Sequence, residues 1–201
     1  MKFIYLFTFV ALLVSCKNDA QSNNPNLSSD KIAVEMKPGA DPAKLAIPES
    51  CAMINTENLQ RILNISKYPI TVKNSGDPAD KSNKSCFFKW DDPSTANAGI
   101  FLQISTNPAH AEFPQYISNF VAAKITDGET DMNTNQPSKF KKFVVNGMEG
   151  AFSFQLGKAY WNINNDYLFM LAFNISTLSE AKMLDATKEI LEEVNSNFPK
   201  N

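Results

Sequence analysis

Residues 140–174 read FKKFVVNGMEGAFSFQLGKAYWNINNDYLFMLAFN, and this stretch decides the fold. Aromatic and branched residues alternate with small or polar ones along it, which is the period of a β-strand with one buried face. Asn146-Gly147 and Asn164-Asn165-Asp166 interrupt the alternation with residues that tolerate the left-handed conformations of tight turns. The pattern predicts three or four successive strands, over residues 140–145, 148–156, 158–163 and 167–174.

The flanking sequence adds further strands and three helices. Upstream, strands are predicted at residues 70–73, 86–90 and 99–105. The sequence therefore predicts the α+β class, with an antiparallel β-sheet of five to seven strands flanked by about three helices. The spacing of apolar residues predicts a first helix capped by Asn55 or Thr56, a second that opens at Phe113-Pro114, and a third behind a capping box formed by Thr177 and Glu180.

Composition excludes several classes of protein. The chain has 201 residues, of which 43% are hydrophobic and 20% are charged, with a formal net charge of −2. These values are typical of a soluble globular protein with one ordinary domain. Basic residues form no concentrated block, so a nucleic-acid partner is not expected. One histidine and three cysteines leave little for a metal centre, and no cofactor is predicted.

The amino terminus has the pattern of an export signal. Lys2 precedes an apolar run over residues 3–14. That run is shorter than the about 20 residues that span a bilayer, and it fits the hydrophobic region of a secretory signal peptide. It ends in LVSC at residues 13–16, which resembles the lipobox of bacterial lipoproteins. An ordinary signal peptide with a chance cysteine, or an uncleaved anchor, is the alternative.

The lipobox resemblance implies a lipid anchor on Cys16. In such proteins the cysteine thiol takes a diacylglycerol, the signal peptide is removed, here residues 1–15, and the new amine is usually acylated, for instance with palmitate. Only a thiolate can form the thioether, so the cysteine is obligatory. The expected location is the cell envelope, on the periplasmic face of the outer membrane or on the cell surface. The membrane is then one partner of the protein, through its N-terminal lipid.

A polar segment separates Cys16 from the domain. Residues 17–47 contain Pro25, Pro38 and Pro42 and no aromatic residue. Such a stretch buries too little apolar surface to offset the entropy lost on ordering. We therefore expect residues 16–47 to be the lipidated cysteine with a disordered tether, and residues 48–201 to form a single globular α+β domain.

The remaining cysteines form a candidate disulfide. Cys51 and Cys86 follow the signal peptide and are therefore expected in a compartment where thiols oxidise. With Cys16 carrying lipid, they are the only intramolecular pair. The bond would join the start of the first helix to the strand at residues 86–90. Two buried free thiols are the alternative, since free cysteine is often buried.

Few side chains suggest catalysis. His110 is the only histidine, and its surroundings predict a surface residue rather than a general base. Asp91-Asp92 could form half of a carboxylate pair or a calcium site, but the following Pro93-Ser94 favours an Asx-type turn. No catalytic and no metal-binding residue is predicted.

A polar segment at residues 127–139 is predicted to be a long mobile loop. Its Asp127, Glu129 and Asp131 alternate as in a calcium-binding loop. The glycine and the distal glutamate that such a loop requires are missing. The three carboxylates are therefore expected to be solvated loop charges.

Aromatic residues are abundant, with 15 Phe, 5 Tyr and 2 Trp, and many fall on predicted strands. About half of those on strands should point toward a helix-covered face of the sheet. The others are core residues if the second face is also covered, and an exposed aromatic surface if it is open. Monomers rarely tolerate a large exposed apolar surface without a partner. Coverage of both faces is the prediction, and an open face is the alternative.

The order of elements resembles a known family. A lipobox, a polar tether, a cysteine before a short helix, a Cys-aromatic-aromatic-x-Trp strand, a turn at residues 145–151 and a closing helix resemble small secreted lipoproteins with the PsbP-like α/β/α sandwich. The resemblance covers residues 48–198. It implies a non-enzymatic accessory role, because members of that superfamily are mostly binding or assembly factors.

The functional hypothesis is a lipid-anchored, non-catalytic binding or assembly module of the cell envelope, which acts on an unknown envelope protein or ligand. Its contact surface would be a sheet face or the 127–139 loop. One alternative is an inhibitor or immunity-type lipoprotein that blocks an envelope enzyme with a loop. The other is a carboxylate-dependent envelope hydrolase, which would require Asp91, Asp92 and Glu149 to converge around a cavity.

Overall fold

The computed structural model describes residues 38–132 and 134–199. Its elements comprise three α-helices, two 3-10 turns at Pro42–Lys44 and Ser50–Ala52, and nine strands. The helices are α1 (Thr56–Leu63), α2 (Tyr116–Thr126) and α3 (Glu180–Asn197). The strands are β1 (Thr71–Asn74), β2 (Asn83–Lys89), β3 (Gly99–Thr106), β4 (Glu129–Asp131), β5 (Gln136–Ser138), β6 (Lys141–Val145), β7 (Met148–Ser153), β8 (Lys158–Ile163) and β9 (Tyr167–Asn174).

Seven strands form one antiparallel sheet in the order β1-β2-β3-β9-β8-β7-β6, and β4 pairs with β5 in a separate hairpin. The fold class predicted from the sequence is therefore confirmed. Tight turns join the strands of residues 141–174 as expected. Asn146 and Gly147 both have positive φ, 49° and 81°, which is the geometry that a two-residue hairpin turn requires.

Helices α1 and α3 pack on one face of the sheet, which we call the covered face. Its side chains form the larger of the two buried clusters. Trp161 and Phe169 stack at its centre with ring centroids 5.1 Å apart, and neither is exposed. Cys51 and Cys86 form the predicted disulfide, with their α-carbons 5.1 Å apart. The bond joins the turn before α1 to β2, so it ties this layer to the strand next to the edge of the sheet.

Helix α2 packs on the opposite face, which we call the second face. Val121 of α2 is buried there with Ala151 of β7 and Tyr160 of β8. The Phe120 ring meets the Tyr160 ring edge-on, with centroids 5.4 Å apart. The domain thus has three layers, with two helices on one face of the sheet and one helix on the other.

Several boundaries differ from the sequence predictions. Helix α2 begins at Tyr116 and not at Pro114, and Phe113 is exposed outside it. Helix α3 is capped by Ser179, whose hydroxyl accepts from the Lys182 backbone amide, and not by Thr177. Residues 127–139, predicted to be a mobile loop, contain the β4–β5 hairpin.

The segment before residue 48 contacts the domain. The Gly39 amide donates to the Pro114 carbonyl at 3.0 Å, and the Tyr167 hydroxyl donates to the Ala46 carbonyl at 3.1 Å. Leu45 and Ile47 pack against the larger buried cluster. The first contacts therefore precede the predicted end of the tether at residue 47, because Leu45 and Ile47 near that end are apolar and pack on the domain. Residues 16–37 of the predicted tether lie outside the described residues.

Candidate binding face

The half of the second face that α2 does not cover is formed by β1, β2 and β3, and we call it the open half. Alternation along β2 and β3 points Phe88 and Ile100 into the covered face and Phe87 and Phe101 to the other side. Phe87 and Phe101 are direct cross-strand partners, and their ring centroids lie 4.7 Å apart. Both rings are half-buried, and neither belongs to a buried cluster.

A shallow cavity of about 250 Å³ lies beside this aromatic pair. Gly99 and Ala172 line it, and their small size leaves the depression between the larger neighbours. A side chain at position 99 would not fit without a shift, since a Cβ there would lie 2.7 Å from the Phe88 carbonyl oxygen. Glycine at position 99 therefore allows the backbones of β2 and β3 to approach closely beside the cavity.

The charges at the open half are positive. The Lys89 ammonium lies 5.2 Å from the centroid of the Phe87 ring, within the range of a cation–π contact. Lys73 on β1 is the direct cross-strand partner of Phe87, so it emerges on the same side. Both lysines are exposed, and neither forms a salt bridge to a described carboxylate. No Asp or Glu lines the cavity in the part of the chain that the structure describes.

The boundary between α2 and the open half carries a charged cluster. The Glu129 carboxylate accepts hydrogen bonds from Lys158 of β8, from Lys124 at the end of α2 at 2.9 Å, and from the Tyr160 hydroxyl at 2.9 Å. The Lys124 ammonium also lies over the Tyr160 ring, 5.1 Å from its centroid. The cluster fastens the β4–β5 hairpin to both the helix and the sheet.

This arrangement shifts two pKa values in opposite directions. Burial raises the pKa of Glu129, but hydrogen bonds from Lys158, Lys124 and Tyr160 outweigh burial and bring this pKa to about 2, below its ordinary 4.5. Burial, together with the hydrogen bond to Glu129 and its negative charge, raises the pKa of the Tyr160 phenol above its ordinary 10.0. The cluster is therefore an anionic carboxylate held by two cations and a neutral phenol at neutral pH.

The prediction of solvated loop charges at residues 127–139 is wrong for two of the three carboxylates. Glu129 is bound by the cluster, and Asp131 is buried. Met132, which follows Asp131, is 93% exposed. The base of the hairpin is thus anchored, while an apolar side chain is presented beyond it.

The acidic residues that a hydrolase would need are far apart. Asp92 forms the predicted turn, because its carboxylate accepts from the Ser94 backbone amide at 2.7 Å. The same carboxylate accepts from the Ser94 hydroxyl, and the hydrogen bonds from this side chain and from the amide lower the pKa of Asp92. Glu149 lies on β7, four strand positions away from β2 in the sheet, which is about 19 Å at the usual strand spacing. The carboxylates of residues 91, 92 and 149 therefore do not converge.

The histidine is also separate from other candidate groups. His110 lies in the turn between β3 and α2 and is half-buried rather than on the open surface. Its Nδ1 atom is buried and has no hydrogen-bond partner among the described residues. Among residues 38–132 and 134–199, no group of three or more His, Cys, Asp or Glu side chains has the arrangement of a metal site.

A larger, polar cavity of about 630 Å³ lies where α2 begins, between Pro38–Ala40 and the β8–β9 turn. Its polar side chains are engaged in holding the fold together. Asn165 accepts from the Ser118 amide of α2 at 2.8 Å and donates to the Pro114 carbonyl at 3.0 Å. The Asp166 carboxylate accepts from the Ala40 amide at 2.7 Å. These polar side chains of the cavity therefore serve to attach α2 and residues 38–40 to the rest of the domain.

The predicted lipidation residue, Cys16, lies outside the described residues. Among residues 38–132 and 134–199, no helix has both the length and the apolar character needed to cross a membrane. Comparisons with protein-family models, with curated proteins and with solved structures found no match.

Sequence reasoning missed the Glu129 cluster and could not place the open half. Lys158 and Tyr160 are two residues apart on a strand, so period-2 alternation puts them on one face, which was a usable signal. Their partner Glu129 comes from a segment predicted to be a loop, 29 residues earlier. The aromatic residues of β2 and β3 were visible in the sequence, but the position of α2 over the sheet was not.

Proposed function

We propose that this protein is a lipid-anchored, non-catalytic binding module of the cell envelope that engages a partner protein through the open half. The observation that carries the proposal is the Phe87–Phe101 pair, which lies beside a cavity on a part of the sheet that no described helix covers. Paired aromatic rings next to a depression are the usual anchors of a protein interface. The resemblance to PsbP-like lipoproteins favours the same class of function.

The free energy available from burying the Phe87 and Phe101 rings supports a role for this pair in binding a partner. Complete burial of an exposed aromatic side chain contributes about 1.5 to 3 kcal/mol, and each half-buried ring would contribute part of this amount when a partner covers it. The rings are already held against each other, so little side-chain entropy remains to be lost on binding. Strands β2 and β3, which carry the two rings, are each fixed by pairing on both sides.

A site-specific cross-link tests the binding proposal. The photoreactive residue p-benzoylphenylalanine would be placed at position 101 in the full chain and irradiated in intact cells of the native host. The matched control is the same residue at position 144, because Val144 is also an exposed apolar residue on a strand and is 53% exposed. We expect a discrete cross-linked protein from position 101 and none from position 144. Equal products, or none from position 101, would contradict the proposal.

The lipid anchor has its own test. Because the LVSC pattern at residues 13–16 resembles a lipobox, Cys16→Ser should leave the precursor unprocessed or release a soluble form. Membrane fractionation and mass spectrometry of the mature amino terminus measure both outcomes. A Cys16→Ser protein that is cleaved at the same bond and stays on the membrane would show that no lipid on this cysteine is needed.

A second candidate function is supported by the β4–β5 hairpin. Glu129 anchors this hairpin, and Met132 is almost fully exposed. An anchored element with an exposed apolar side chain fits an inhibitor that inserts a loop into an enzyme cleft. The same photoreactive residue at position 132 distinguishes the two candidates. A product from position 132 and none from position 101 would favour inhibition, and the reverse favours the open half.

A further inference from the structure

We infer that the partner presents, in a protein segment, an aromatic or branched aliphatic side chain next to a carboxylate; this inference rests on the proposed function of the open half. The apolar side chain would occupy the cavity beside Phe87 and Phe101, and the carboxylate would pair with Lys89, which lines the cavity. The contact surface of the partner thus combines one apolar side chain with one negative charge.

The volume of the cavity indicates a side chain of a larger molecule. Pockets that enclose a whole small-molecule ligand usually measure about 300 to 1,000 Å³. The cavity at the open half measures about 250 Å³ and is shallow. Gly99 and Ala172 line it together with Phe87 and Phe101, and its volume suits one ring or branched chain in contact with the two rings. A single anchoring residue of a protein fits this space better than a free metabolite does.

The charge around the cavity indicates an acidic neighbour for that anchor. Lys89 lines the cavity, and Lys73 lies beyond Phe87 in the same cross-strand row. The nearest carboxylates along the chain, Asp91 and Asp92, line a different cavity with Trp90 and Tyr68. Among the described residues, the open half therefore offers two cations and no anion. A basic segment would be repelled there, and an acidic one attracted.

The number of lysines favours a protein over a lipid surface. Electrostatic binding to anionic lipids uses clusters of about 4 to 8 basic residues. The open half has Lys73 and Lys89 only, and Lys158 at its border is paired with Glu129. Two cations match one or two carboxylates of a polypeptide.

Fluorescence anisotropy with model peptides tests the inference. The probe is a fluorescein-labelled pentapeptide of alternating Asp and Phe, titrated with the full chain in detergent. Control peptides alternate Lys with Phe and Asp with Ala. We expect the Asp–Phe peptide to bind at least about fivefold more tightly than either control, since both the rings and the charge contribute. Phe101→Ala should weaken its binding about tenfold, because the side wall of the cavity is lost.

A charge reversal gives the sharpest readout. Lys89→Glu should invert the preference, so that the Lys–Phe peptide binds more tightly than the Asp–Phe peptide. The matched control is Lys182→Glu, which reverses an exposed lysine on α3 and should leave the preference unchanged. Circular dichroism of each variant shows that the fold is retained. A loss of all binding in a folded Lys89→Glu protein, without inversion, would overturn the assignment of the carboxylate to this lysine.

The remaining outcomes separate this inference from the proposed function. Equal affinity for all three peptides, or no binding of the Asp–Phe peptide at millimolar concentration, overturns the inferred partner chemistry. A cross-link from position 101 would still support the open half in that case. Binding to vesicles of anionic phospholipid that depends on Lys89, with no peptide binding, would identify a lipid surface and also overturn the inference.

Discussion

Both faces of the central sheet carry aromatic side chains, but the elements that pack over the two faces differ. Phe169 on the covered face and Phe101 on the second face lie on neighbouring strands, β9 and β3. Phe169 is fully buried beneath α3, with Phe198 edge-on to its ring at 5.5 Å, whereas Phe101 is half-buried beside Phe87. The same residue type is core on one side and surface on the other. Its role is therefore decided by the layer above it.

The difference follows from how much of the sheet each layer can reach. Seven strands at a spacing of about 4.8 Å make a sheet nearly 30 Å wide, and one helix with its side chains covers about 10 Å of that width. The covered face has α1, α3 and the disulfide-linked turn before α1. On the second face α2 packs over β7 and β8, and the β4–β5 hairpin is fastened beside it through Glu129. No helix among the described residues covers β1 to β3 on that side.

The largest effect is expected on the covered face. Phe169→Ala should lower the free energy of unfolding by about 4 kcal/mol, because it removes a fully buried ring and leaves a cavity next to Trp161. Urea denaturation followed by circular dichroism measures the change. A loss below about 1 kcal/mol would mean that this face is not the rigid core described here.

Removal of the disulfide should be the next largest effect. Cys51→Ala with Cys86→Ala releases a loop of 35 residues in the denatured state, and we expect a loss of about 3 to 4 kcal/mol. Thermal unfolding of the double variant and of the oxidised parent measures it. An unchanged stability would show that the bond does not constrain the chain, and two free thiols in the denatured, unreduced parent would show that it is not formed.

On the second face, disruption of the Glu129 cluster should lower the free energy of unfolding by an intermediate amount. Glu129→Gln leaves Lys124 and Lys158 without their counter-charge in a partly buried site, and we expect a loss of about 1 to 2 kcal/mol with faster amide exchange in β4 and β5. The control is Glu149→Gln, whose carboxylate pairs with Lys142 at an exposed site and should contribute less than about 0.5 kcal/mol. Equal losses would argue against a special role for the cluster.

The same cluster predicts a pH dependence. The pKa of Glu129 lies at about 2, below its ordinary 4.5, so its contribution to stability is complete above pH 4.5 and is lost as the pH falls toward 2. The pKa of Tyr160 is raised above 10.0, so its contribution is complete below pH 10 and is lost as the pH rises further. Unfolding measured across this range should show both declines. Glu129→Gln should flatten the acid one.

The attachment of α2 should have a smaller effect. Asn165→Ala removes the side chain that accepts from the Ser118 amide at the start of α2, and we expect a loss of about 1 kcal/mol. Asn55 serves as the comparison, because it caps α1 from its own helix by accepting from the Glu57 amide. Hydrogen exchange should show faster opening of α2 in Asn165→Ala and of α1 in Asn55→Ala. The same pattern in both variants would remove the assigned role of Asn165.

The smallest effect on stability is expected at the open half. Phe101→Ala should change the free energy of unfolding by less than about 1 kcal/mol, because the ring is half-buried and belongs to no buried cluster. Its effect on partner binding should be large instead. A loss as great as that of Phe169→Ala would show that the open half is covered in solution, and the comparison between the two faces would fail.

Local patterns made most of the elements predictable. Alternation and the Asn146-Gly147 turn locate the strands of residues 141–174 within a few residues, and the apolar spacing locates all three helices. The disulfide followed from the expected compartment and the number of cysteines. Each of these predictions depends on neighbours in sequence, or on a count, and needs no knowledge of which elements meet.

The start of α2 and the anchored hairpin were not predictable in the same way. The first turn of α2 is completed by Asn165, which is 47 residues away from Ser118 in the chain. The hairpin is held by a carboxylate whose partners lie on α2 and β8. Local propensity at Phe113-Pro114 and at residues 127–139 points to other structures, and long-range hydrogen bonds outweigh it.

The sequence by itself determined the seven strands of the main sheet, the three helices, the α+β class and the aromatic character of the sheet, because alternation and helical spacing are local properties. Only the tertiary structure decided which aromatic residues are core. Which aromatic residues are buried on the second face depends on the position of α2, a helix of 11 residues, on the seven-stranded sheet. That position depends on contacts between segments that are distant in the sequence. Among the described residues, the open half with Phe87, Phe101 and Lys89 around a cavity exists because α2 packs over β7 and β8 and not over β2 and β3.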